Sequence, residues 1–336
     1  RYNRRRDKGA GSLKTSKGKT PGLDKISYPM ISMVPTFFKY RILDLFNKIF
    51  DSGIIPQFFK TASVITIHKN NKPIEDIDSY RPISLLPCIA KLLEKMISKR
   101  LMWFIKKHKL LSHNQTGFQS GLSTTDALLL LDHIICKNRS TKKHTSILSI
   151  DFIKAFDRIG IHIVLQKLTK WSIGPKMFNF IKSFLTNRKF SVRVNDTSSN
   201  VFPMDNGIPQ GSPLSVTLFI IAFDDLSRIL NIDKRIEHCI YADDLYVIAN
   251  EQENDKISEV FQEVLLKINN WSVTSGADIS FEKTNHLHIC KKRNCNVINI
   301  TFNNFSIQNV NNCKILGINI DCKYNFKNHC NYLKKD

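Results

Sequence analysis

The chain has 336 residues, of which 42% are hydrophobic and 24% charged, a balance typical of a folded protein with a real core. Its 50 lysines and arginines outnumber its 29 aspartates and glutamates, which gives a formal net charge of +21. A charge of this size predicts a polyanionic partner. Most of the basic residues are lysine, a point charge suited to phosphate, so we favour nucleic acid held by its backbone over an anionic membrane surface.

Other features argue against a membrane-spanning or secreted protein. The most apolar run covers residues 214–223, about half of the roughly 20 residues that a membrane span needs. The sequence starts without Met and has no apolar stretch behind its first basic residues, so we expect no signal peptide and interpret the start as internal to a longer polypeptide. The cysteines are scattered, which indicates reduced thiols in an intracellular protein.

Taken in chain order, the sequence begins with a basic arm. Residues 1–20 contain eight lysines and arginines, and both a disordered arm and a phosphate-binding arm are compatible with that composition. Apolar residues at helical spacing then predict a helix from Phe38 that ends at Gly53. Residues 61–68 are rich in β-branched side chains and predict a strand, and residues 89–104 predict a strong amphipathic helix.

The rest of the chain alternates between predicted helices and short strands. Ser123 begins a capping box that opens a helix, and a strand at 147–151 ends in a carboxylate. The predicted helices cover 127–136, 161–171, 176–187, 214–230 and 257–271, and the predicted strands cover 147–151, 190–194, 200–204, 236–240 and 245–248. Without an internal repeat or a clear linker, these elements favour one multi-lobed unit over separate domains on a string.

An acidic pair lies in a tight turn between the last two of these strands, in the segment YADD at residues 241–244. Adjacent carboxylates repel each other unless they are solvated or bound to cations. The strand that ends in Asp151 can bring a third carboxylate to the same place. Such a set suits Mg²⁺, and three carboxylates can hold two metal ions roughly 4 Å apart for phosphoryl transfer. An ordinary acidic turn is the alternative.

A second acidic pair, Asp224 and Asp225, follows a helical apolar run and lacks the strand–turn–strand context. We therefore assign it to a solvated helix face or a helix cap.

A cluster of metal-ligating residue types occurs near the C-terminus. His286, His288 and Cys290 alternate on a predicted strand, and Cys295 follows closely. On one strand face these residues could ligate zinc. Their spacing fits no established zinc pattern, so a reduced strand of mixed polarity is the favoured interpretation.

The carboxylates lie in motifs that resemble those of reverse transcriptases. YADD is similar to the YxDD box of that family, and DFIKAFD at 151–157 resembles its first catalytic motif. The other similar segments, in the order of the family, are the fingers motif YRPISLLP (80–87), the second catalytic motif GIPQGSPLS (207–215), the lysine-bearing motif GADISFEKT (276–284) and the primer grip KILGI (314–318). The resemblance is specific because all of these motifs are present and occur in the order found in the family.

Two further segments resemble non-LTR retrotransposon enzymes, of the LINE type and Jockey/I-like in flavour. KTPGLD at 19–24 is similar to their upstream motif, and QTGFQSGLST at 115–124 to an insertion that they carry between fingers and palm. Val216 departs from the pattern, since these elements usually have proline there. Group II intron enzymes share the general layout and are the nearest similar group.

The resemblance implies an α+β fold, the right-hand polymerase core of fingers and palm, with an antiparallel palm sheet and flanking helices. The thumb is expected to be absent or truncated. The implied divisions are a basic extension (1–35), fingers (36–144), the first palm strand (145–162), an insertion with a hairpin (163–205), the palm with the YADD hairpin (206–302) and the primer-grip region (303–336).

The implied activity is that of an RNA-directed DNA polymerase, which extends a primer 3′-OH with dNTPs. Asp151, Asp243 and Asp244 are the implied catalytic residues. Together with the backbone carbonyl of Phe152 they are expected to hold two Mg²⁺ ions, for which Mn²⁺ could substitute. In the parent element the resemblance implies target-primed reverse transcription of the element's own RNA.

Several residues match nucleotide-binding positions of the family. Arg81 is expected to hold the triphosphate, and Lys69 is a weaker candidate for the same role. Phe156 matches the aromatic side chain that excludes a ribose 2′-OH. Gln210 is expected near the incoming nucleotide, and Gly211 is expected to permit a close backbone approach.

Lys283 is a candidate for protonating the leaving pyrophosphate, with a plain surface lysine as the alternative. Tyr241, Leu316 and Gly317 are expected to contact primer or template. The implied partners are an RNA template, a DNA primer and dNTPs, with no membrane. The parent polyprotein is expected to supply an endonuclease and a nucleic-acid-binding protein, and the location to be intracellular, in the nucleus and in cytoplasmic ribonucleoprotein.

Two alternatives to this function are considered. A viral RNA-dependent RNA polymerase would usually carry GDD where this chain has YADD, and Phe156 argues against ribonucleotide use. A catalytically retired fragment that only binds RNA or other nucleic acid would be favoured by loss of any catalytic aspartate, and all three are present.

Overall fold

The structure is a computed structural model that describes residues 20–141, 144–251, 253–290 and 298–334. Nearly all of the predicted basic arm, and Cys295, lie outside the described residues. The helices are α1 (Tyr28–Met33), α2 (Thr36–Ser52), α3 (Gln57–Lys60), α4 (Cys88–Lys107), α5 (Thr124–Ser140), α6 (Ala155–Arg158), α7 (Ile161–Lys170), α8 (Pro175–Leu185), α9 (Pro213–Asn231), α10 (Asn254–Ser275) and α11 (Lys327–Leu333). The strands are β1 (Thr61–His68), β2 (Tyr80–Leu85), β3 (His144–Phe152), β4 (Arg188–Val194), β5 (Thr197–Ser198), β6 (Phe202–Met204), β7 (Ile236–Tyr241), β8 (Asp244–Glu251), β9 (Ile279–Ile289), β10 (Thr301–Phe302), β11 (Phe305–Ser306), β12 (Gln308–Asn309), β13 (Asn312–Ile315) and β14 (Ile318–Asp321).

The predicted elements are present, and local signals account for several of their limits. Gly53 ends α2, and its N–H donates to the carbonyl of Ile49 at 3.0 Å. Ser123 and Asp126 form the capping box at the start of α5. β9 differs from the expected short strands, since it runs for 11 residues.

Contacts divide the chain into two compact units, each made of two separate segments. The first unit comprises Arg1–Leu110 and Ile159–Ala222, and the second comprises Leu111–Arg158 and Phe223–Asp336. The second unit therefore contains residues 111–144, which the sequence assigns to the fingers. The names and limits of the polymerase subdomains stay a prediction.

The first unit is built around a sheet in which β1 pairs with β2 in antiparallel and with β4 in parallel orientation. β4 also pairs with β6, as the predicted hairpin requires. The buried carboxylate of Glu94 on α4 accepts a hydrogen bond from Ser212 Oγ at 2.5 Å. The same hydroxyl accepts hydrogen bonds from two backbone N–H groups of the first turn of α9, those of Leu214 and Ser215. A buried polar network thus fixes the turn that precedes α9.

The second unit is built around the sheet β12-β9-β3-β8-β7, in which β9, β3, β8 and β7 are antiparallel. β3 is the central strand and is almost wholly buried, as its apolar sequence predicts. On one face Phe152 packs edge-on against Phe223 of α9 and Trp271 of α10, with ring centroids 5.3 Å and 5.9 Å away. This packing holds the C-terminal end of β3 in place.

The prediction of a solvated position for the acidic pair on α9 was wrong for Asp224. Its side chain is fully buried. The carboxylate accepts hydrogen bonds from the backbone N–H of Ser112 at 2.7 Å and from Arg228 Nε at 2.6 Å. A buried carboxylate needs such partners, and the sequence around the pair does not reveal that a distant backbone supplies one.

Among the described residues, every helix is too short or too polar to cross a bilayer.

Candidate active site

The carboxylates of the second unit meet because of strand register. Asp151 is the penultimate residue of β3, and the neighbouring pair Ile150–Leu245 in β8 brings it level with Asp244. Tyr241 pairs with Asp244 across the β7–β8 hairpin, so Ala242 and Asp243 form a two-residue turn. Ala242 has φ +57°, a conformation that this hairpin turn requires and that alanine rarely adopts.

A cleft of about 420 Å³ opens beside these carboxylates. Its walls combine the ends of β3 and β8 with β9 and the β13–β14 hairpin. Residues with a predicted role that line it are Asp151, Asp244, Lys283, Leu316 and Gly317. Asp243 is exposed at the turn next to Asp244. Three predicted catalytic residues and two of the predicted primer contacts therefore lie within one small region of the second unit.

Several carboxylates lie close together in the cleft and repel one another. Burial, followed by the charges of Asp243 and Asp151, raises the pKa of Asp244 to about 6. Asp151 Oδ2 is buried and accepts no hydrogen bond, although Lys283 Nζ lies 3.3 Å from it. A buried carboxylate oxygen without a hydrogen bond, beside a carboxylate whose charge is disfavoured, fits a site that binds a cation.

Tyr246 completes the site, and it belongs to none of the motifs that predicted site residues. Its hydroxyl forms hydrogen bonds with the Asp244 carboxylate and with the backbone of Leu316, and burial raises its pKa. It lies two residues after Asp244 on the same strand, so both side chains point to the same face. That period of two is the signal by which the sequence could have revealed it.

The structure also positions the remaining predicted residues of this unit. The Phe152 side chain is in the core, and the role of its backbone carbonyl as a metal ligand stays a prediction. Phe156 is half-buried on α6, and Tyr241 is half-buried at the end of β7. Leu316 and Gly317 form the turn between β13 and β14, with positive φ angles of +47° and +92°.

The other predicted nucleotide-binding residues, Arg81, Lys69, Gln210 and Gly211, belong to the first unit. Arg81 is exposed on β2. Lys69 Nζ donates to the carbonyl of Asp78 at 2.7 Å, so this ammonium closes the β1–β2 loop.

Gly211 has φ +104°, and a Cβ at this position would lie 2.7 Å from the carbonyl oxygen of Ser84 on β2. The preceding residue Gln210 accepts a hydrogen bond from the Ser84 N–H at 2.8 Å. Gly211 thus packs closely against the backbone of β2, and its expected role beside the nucleotide stays a prediction.

The histidine and cysteine residues at the end of β9 lie beside a further histidine, His144 on β3. His144, His288 and Cys290 each present a ligand atom within 4.8 Å of the other two. His286 is instead buried, and its Nδ1 forms a hydrogen bond with the side chain of Asn309. The trio that the structure brings together thus differs from the trio in the sequence.

Comparisons with known proteins identify the family of the chain. Residues 67–320 match the family model described as reverse transcriptase (RNA-dependent DNA polymerase). The chain belongs to the reverse transcriptase family. The RNA-directed DNA polymerase from mobile element jockey of Drosophila melanogaster is 30% identical over 93% of this chain and 34% of its own length. The probable RNA-directed DNA polymerase from transposon BS of the same species is 28% identical over 93% of this chain and 35% of its own.

The predicted resemblance of this reverse transcriptase chain to non-LTR retrotransposon enzymes is confirmed by these relatives. The chain spans about a third of their length. Among solved structures, telomerase from Candida Tropicalis in complex with a TWJ fragment of telomeric RNA has a TM-score of 0.57 at 11% identity, over 90% of this chain and 49% of that one. This likeness confirms the predicted α+β polymerase fold. Members of the reverse transcriptase family use divalent metal ions.

Proposed function

We propose that this reverse transcriptase chain is an active RNA-directed DNA polymerase that extends a primer 3′-OH with dNTPs. The observation that carries the proposal is the cleft in which Asp151 and Asp244 lie together beside Asp243. Burial, together with the charges of Asp243 and Asp151, raises the pKa of Asp244, and an arrangement that disfavours its own charge fits a working cation site better than a retired one.

Asp151, Asp243 and Asp244, with the backbone carbonyl of Phe152, are the residues that would hold two Mg²⁺ ions. The donor set supports this assignment, because hard divalent cations prefer oxygen ligands. Bound cations would neutralise the carboxylates and the negative charge that develops on the phosphoryl oxygens. Mn²⁺ has the same ligand preference and is expected to substitute.

The side chains of the chain supply positioning and proton transfer. The primer 3′-oxygen attacks the α-phosphorus, the bond to the β-phosphate oxygen breaks, and pyrophosphate leaves. Lys283, within 3.3 Å of Asp151, is the proposed proton donor to that leaving group. Phe156 excludes a ribose 2′-OH, Arg81 binds the triphosphate through its fixed fork of donors, and Tyr241, Leu316 and Gly317 contact primer or template.

The biological role is proposed from the relatives. An RNA template, a DNA primer and dNTPs are the proposed partners, and target-primed reverse transcription of a retrotransposon RNA is the proposed process. An endonuclease and a nucleic-acid-binding protein of the parent polyprotein would assist it, in the nucleus and in cytoplasmic ribonucleoprotein. The net charge of +21 supports contact with a nucleic-acid backbone, so binding should weaken steeply as salt is raised.

Primer extension on an RNA template with a DNA primer, dNTPs and Mg²⁺ tests the activity. The key variant is Asp243→Asn, which removes a ligand charge at nearly constant shape. Asp225→Asn is the matched control, because it makes the same change in the other acidic pair. We expect extension by the wild type and the control and none by Asp243→Asn.

Equal extension by the wild type and Asp243→Asn would contradict the assigned carboxylates. Salt-sensitive binding of the template–primer without extension by any form would instead support the alternative, a retired nucleic-acid-binding module. A parallel reaction with rNTPs separates the proposed activity from that of an RNA-dependent RNA polymerase.

A further inference from the structure

The insertion QTGFQSGLST, which contains Gln115 to Thr124, is anchored on the catalytic hairpin. Its first residues run beside β7: the Ile240 N–H donates to the carbonyl of Asn114 at 2.8 Å, and the Thr116 N–H donates to the carbonyl of Ile240 at 2.9 Å. Gly117 touches the YADD turn so closely that a Cβ there would lie 2.2 Å from the backbone nitrogen of Ala242. Only glycine fits at this contact.

This anchoring places the next residue against the side chain proposed to select the sugar. The ring of Phe118 meets the ring of Phe156 edge-on, with centroids 6.2 Å apart and planes at 78°. Phe118 has φ +59°, a conformation that costs energy for a bulky residue and that is found mostly where surrounding structure enforces it for function. Phe118 as a whole residue is 45% exposed, so burial in the core does not explain the strained position.

We propose that Phe118 is a positioning residue for sugar selection, which holds the Phe156 ring in the orientation that excludes a ribose 2′-OH. This inference rests on the proposed function, in which Phe156 contacts the sugar. Edge-on aromatic pairs contribute enough to orient a half-buried ring. Loss of the pair should therefore let the Phe156 ring turn aside and admit ribonucleotides, while attack on the α-phosphorus is left intact.

The test compares kcat/KM for one dNTP and the matching rNTP in Phe118→Ala, Phe118→Tyr and the wild type. We expect Phe118→Ala to lower discrimination, the ratio of kcat/KM for the dNTP to that for the rNTP, about two- to tenfold. Most of the change should lie in the KM for the rNTP. Phe118→Tyr should keep the wild-type ratio. Phe305→Ala is the control, because Phe305 is a half-exposed aromatic of the same unit that stacks on Phe281 with centroids 5.3 Å apart. In a Phe156→Ala background, Phe118→Ala should change discrimination no further.

The possible failures are distinguishable. Equal losses for the dNTP and the rNTP in Phe118→Ala, or an undiminished effect in the Phe156→Ala background, would overturn the inference alone. A wild type that extends no primer would contradict the proposed function and the inference with it. If Phe118→Ala does not fold, Phe118→Leu keeps the bulk without the aromatic edge and is judged by the same ratio.

A different observation carries a second inference, which does not depend on polymerase activity. The register of β3 and β9 pairs Thr145 with Ile289 and Ser146 with His288, which sets His144 opposite Cys290. The rings of His144 and His288 stack with centroids 5.4 Å apart. His288 Nδ1 forms a 2.7 Å hydrogen bond with Ser146 Oγ, the kind of bond that orients a metal-ligating imidazole.

We infer that His144, His288 and Cys290 form a zinc site at this end of the sheet. Two imidazoles and a thiolate are a soft, nitrogen- and sulfur-containing donor set that suits Zn²⁺ and differs from the oxygen ligands of the cleft. Only small side-chain movements are needed, because the three ligand atoms already lie within 4.8 Å of one another.

Metal analysis of the purified chain tests this site. We expect about one zinc per chain, lost in both His144→Gln and Cys290→Ser and retained in Cys330→Ser, which changes an exposed cysteine outside the cluster. Cobalt should give a thiolate-to-metal charge-transfer band in the wild type and none in Cys290→Ser. A wild type without zinc and without that band, or zinc that persists in both ligand variants, would overturn the inference. The cobalt spectrum of folded wild type decides the question even if a variant does not fold.

Discussion

Two acidic sites in the second unit are treated in opposite ways. Asp233 accepts hydrogen bonds from Arg235 at 2.8 Å and from Lys267 at 2.9 Å, and these cations hold its pKa well below the ordinary value. Asp244 has two carboxylates for neighbours, and its pKa is raised to about 6. The charge of Asp233 is thus neutralised by side chains of the same protein. The charge of Asp244 is unfavourable in the folded chain, and a bound cation would stabilise it. A carboxylate whose ionised form is destabilised by its surroundings indicates a binding site, whereas one whose ionised form is stabilised by neighbouring cations indicates a structural ion pair.

The largest expected effect that tests this contrast comes from Asp244→Asn. Primer extension should fall about a thousandfold, because ligand loss removes several kcal/mol of transition-state stabilisation. The unfolding free energy at neutral pH should rise by about 2 kcal/mol, since a disfavoured charge is removed. Extension rates and denaturant unfolding without metal measure the two changes. A variant that loses both activity and stability would contradict the view that Asp244 is retained for function.

Asp233→Asn should have the reverse profile. Its removal leaves Arg235 and Lys267 without their shared carboxylate, so the unfolding free energy should fall by about 2 kcal/mol. Extension under conditions where the variant is folded should change little. Asp196→Asn, at an exposed hairpin turn, is the control, and it should alter stability by less than about 0.5 kcal/mol. A large loss of specific activity in Asp233→Asn would contradict the view that Asp233 is structural and Asp244 functional.

The two carboxylates should also give opposite pH dependence. The pKa of Asp244 is higher in the folded state, so its contribution to stability is complete below about pH 4 and is lost as the pH rises through about 6. The pKa of Asp233 is depressed, so its contribution is present above about pH 4 and is lost on acidification. Measured with chelator, the difference in unfolding free energy between the wild type and Asp244→Asn should grow from pH 4 to 6.5, whereas the difference between the wild type and Asp233→Asn should stay nearly constant over this range.

Magnesium should stabilise the folded chain through the cleft. At ten times its dissociation constant, a ligand that binds only the folded state adds about 1.4 kcal/mol. We expect this gain in thermal or denaturant unfolding of the wild type and of Asp233→Asn. The gain should be absent in Asp244→Asn, and an equal gain in all three proteins would place the effective metal elsewhere.

The smallest effect is expected for Tyr246→Phe, which removes the hydroxyl shared by Asp244 and the Leu316 backbone. One net hydrogen bond is worth about 1 kcal/mol, so stability should fall by that amount and extension by up to about fivefold. Because the hydroxyl lowers the pKa of Asp244, the variant should titrate that carboxylate at a higher pH. Carboxyl NMR of selectively labelled protein measures the shift, and an unchanged pKa would remove Tyr246 from the site.

The sequence predicts those parts of the molecule that depend on nearby residues. β1 has the predicted limits, because alternating β-branched residues between turn signals define a strand locally. The hairpin at residues 241–244 follows from the strand–turn–strand pattern for the same reason, although its turn is shorter than predicted and consists of Ala242 and Asp243 alone. Burial of Asp224 and the hydrogen bond of Tyr246 with Leu316 depend instead on partners far away in the sequence, whereas the contact of Tyr246 with Asp244 follows from strand alternation. A periodic pattern contains no information about such pairings, and neither does it reveal that His144 lies beside Cys290.

The order of β3 in its sheet has a consequence for synthesis on the ribosome. Both neighbours of this central strand come later in the chain: Ile147 pairs with Ile248 in β8 and with Leu287 in β9. At about 10 residues per second, the strand that bears Asp151 is made roughly ten seconds before its first partner. During that interval the nascent chain exposes an apolar strand with two unpaired edges, which favours aggregation and delays folding of the sheet. The chain is therefore expected to need a holding chaperone until translation passes β9.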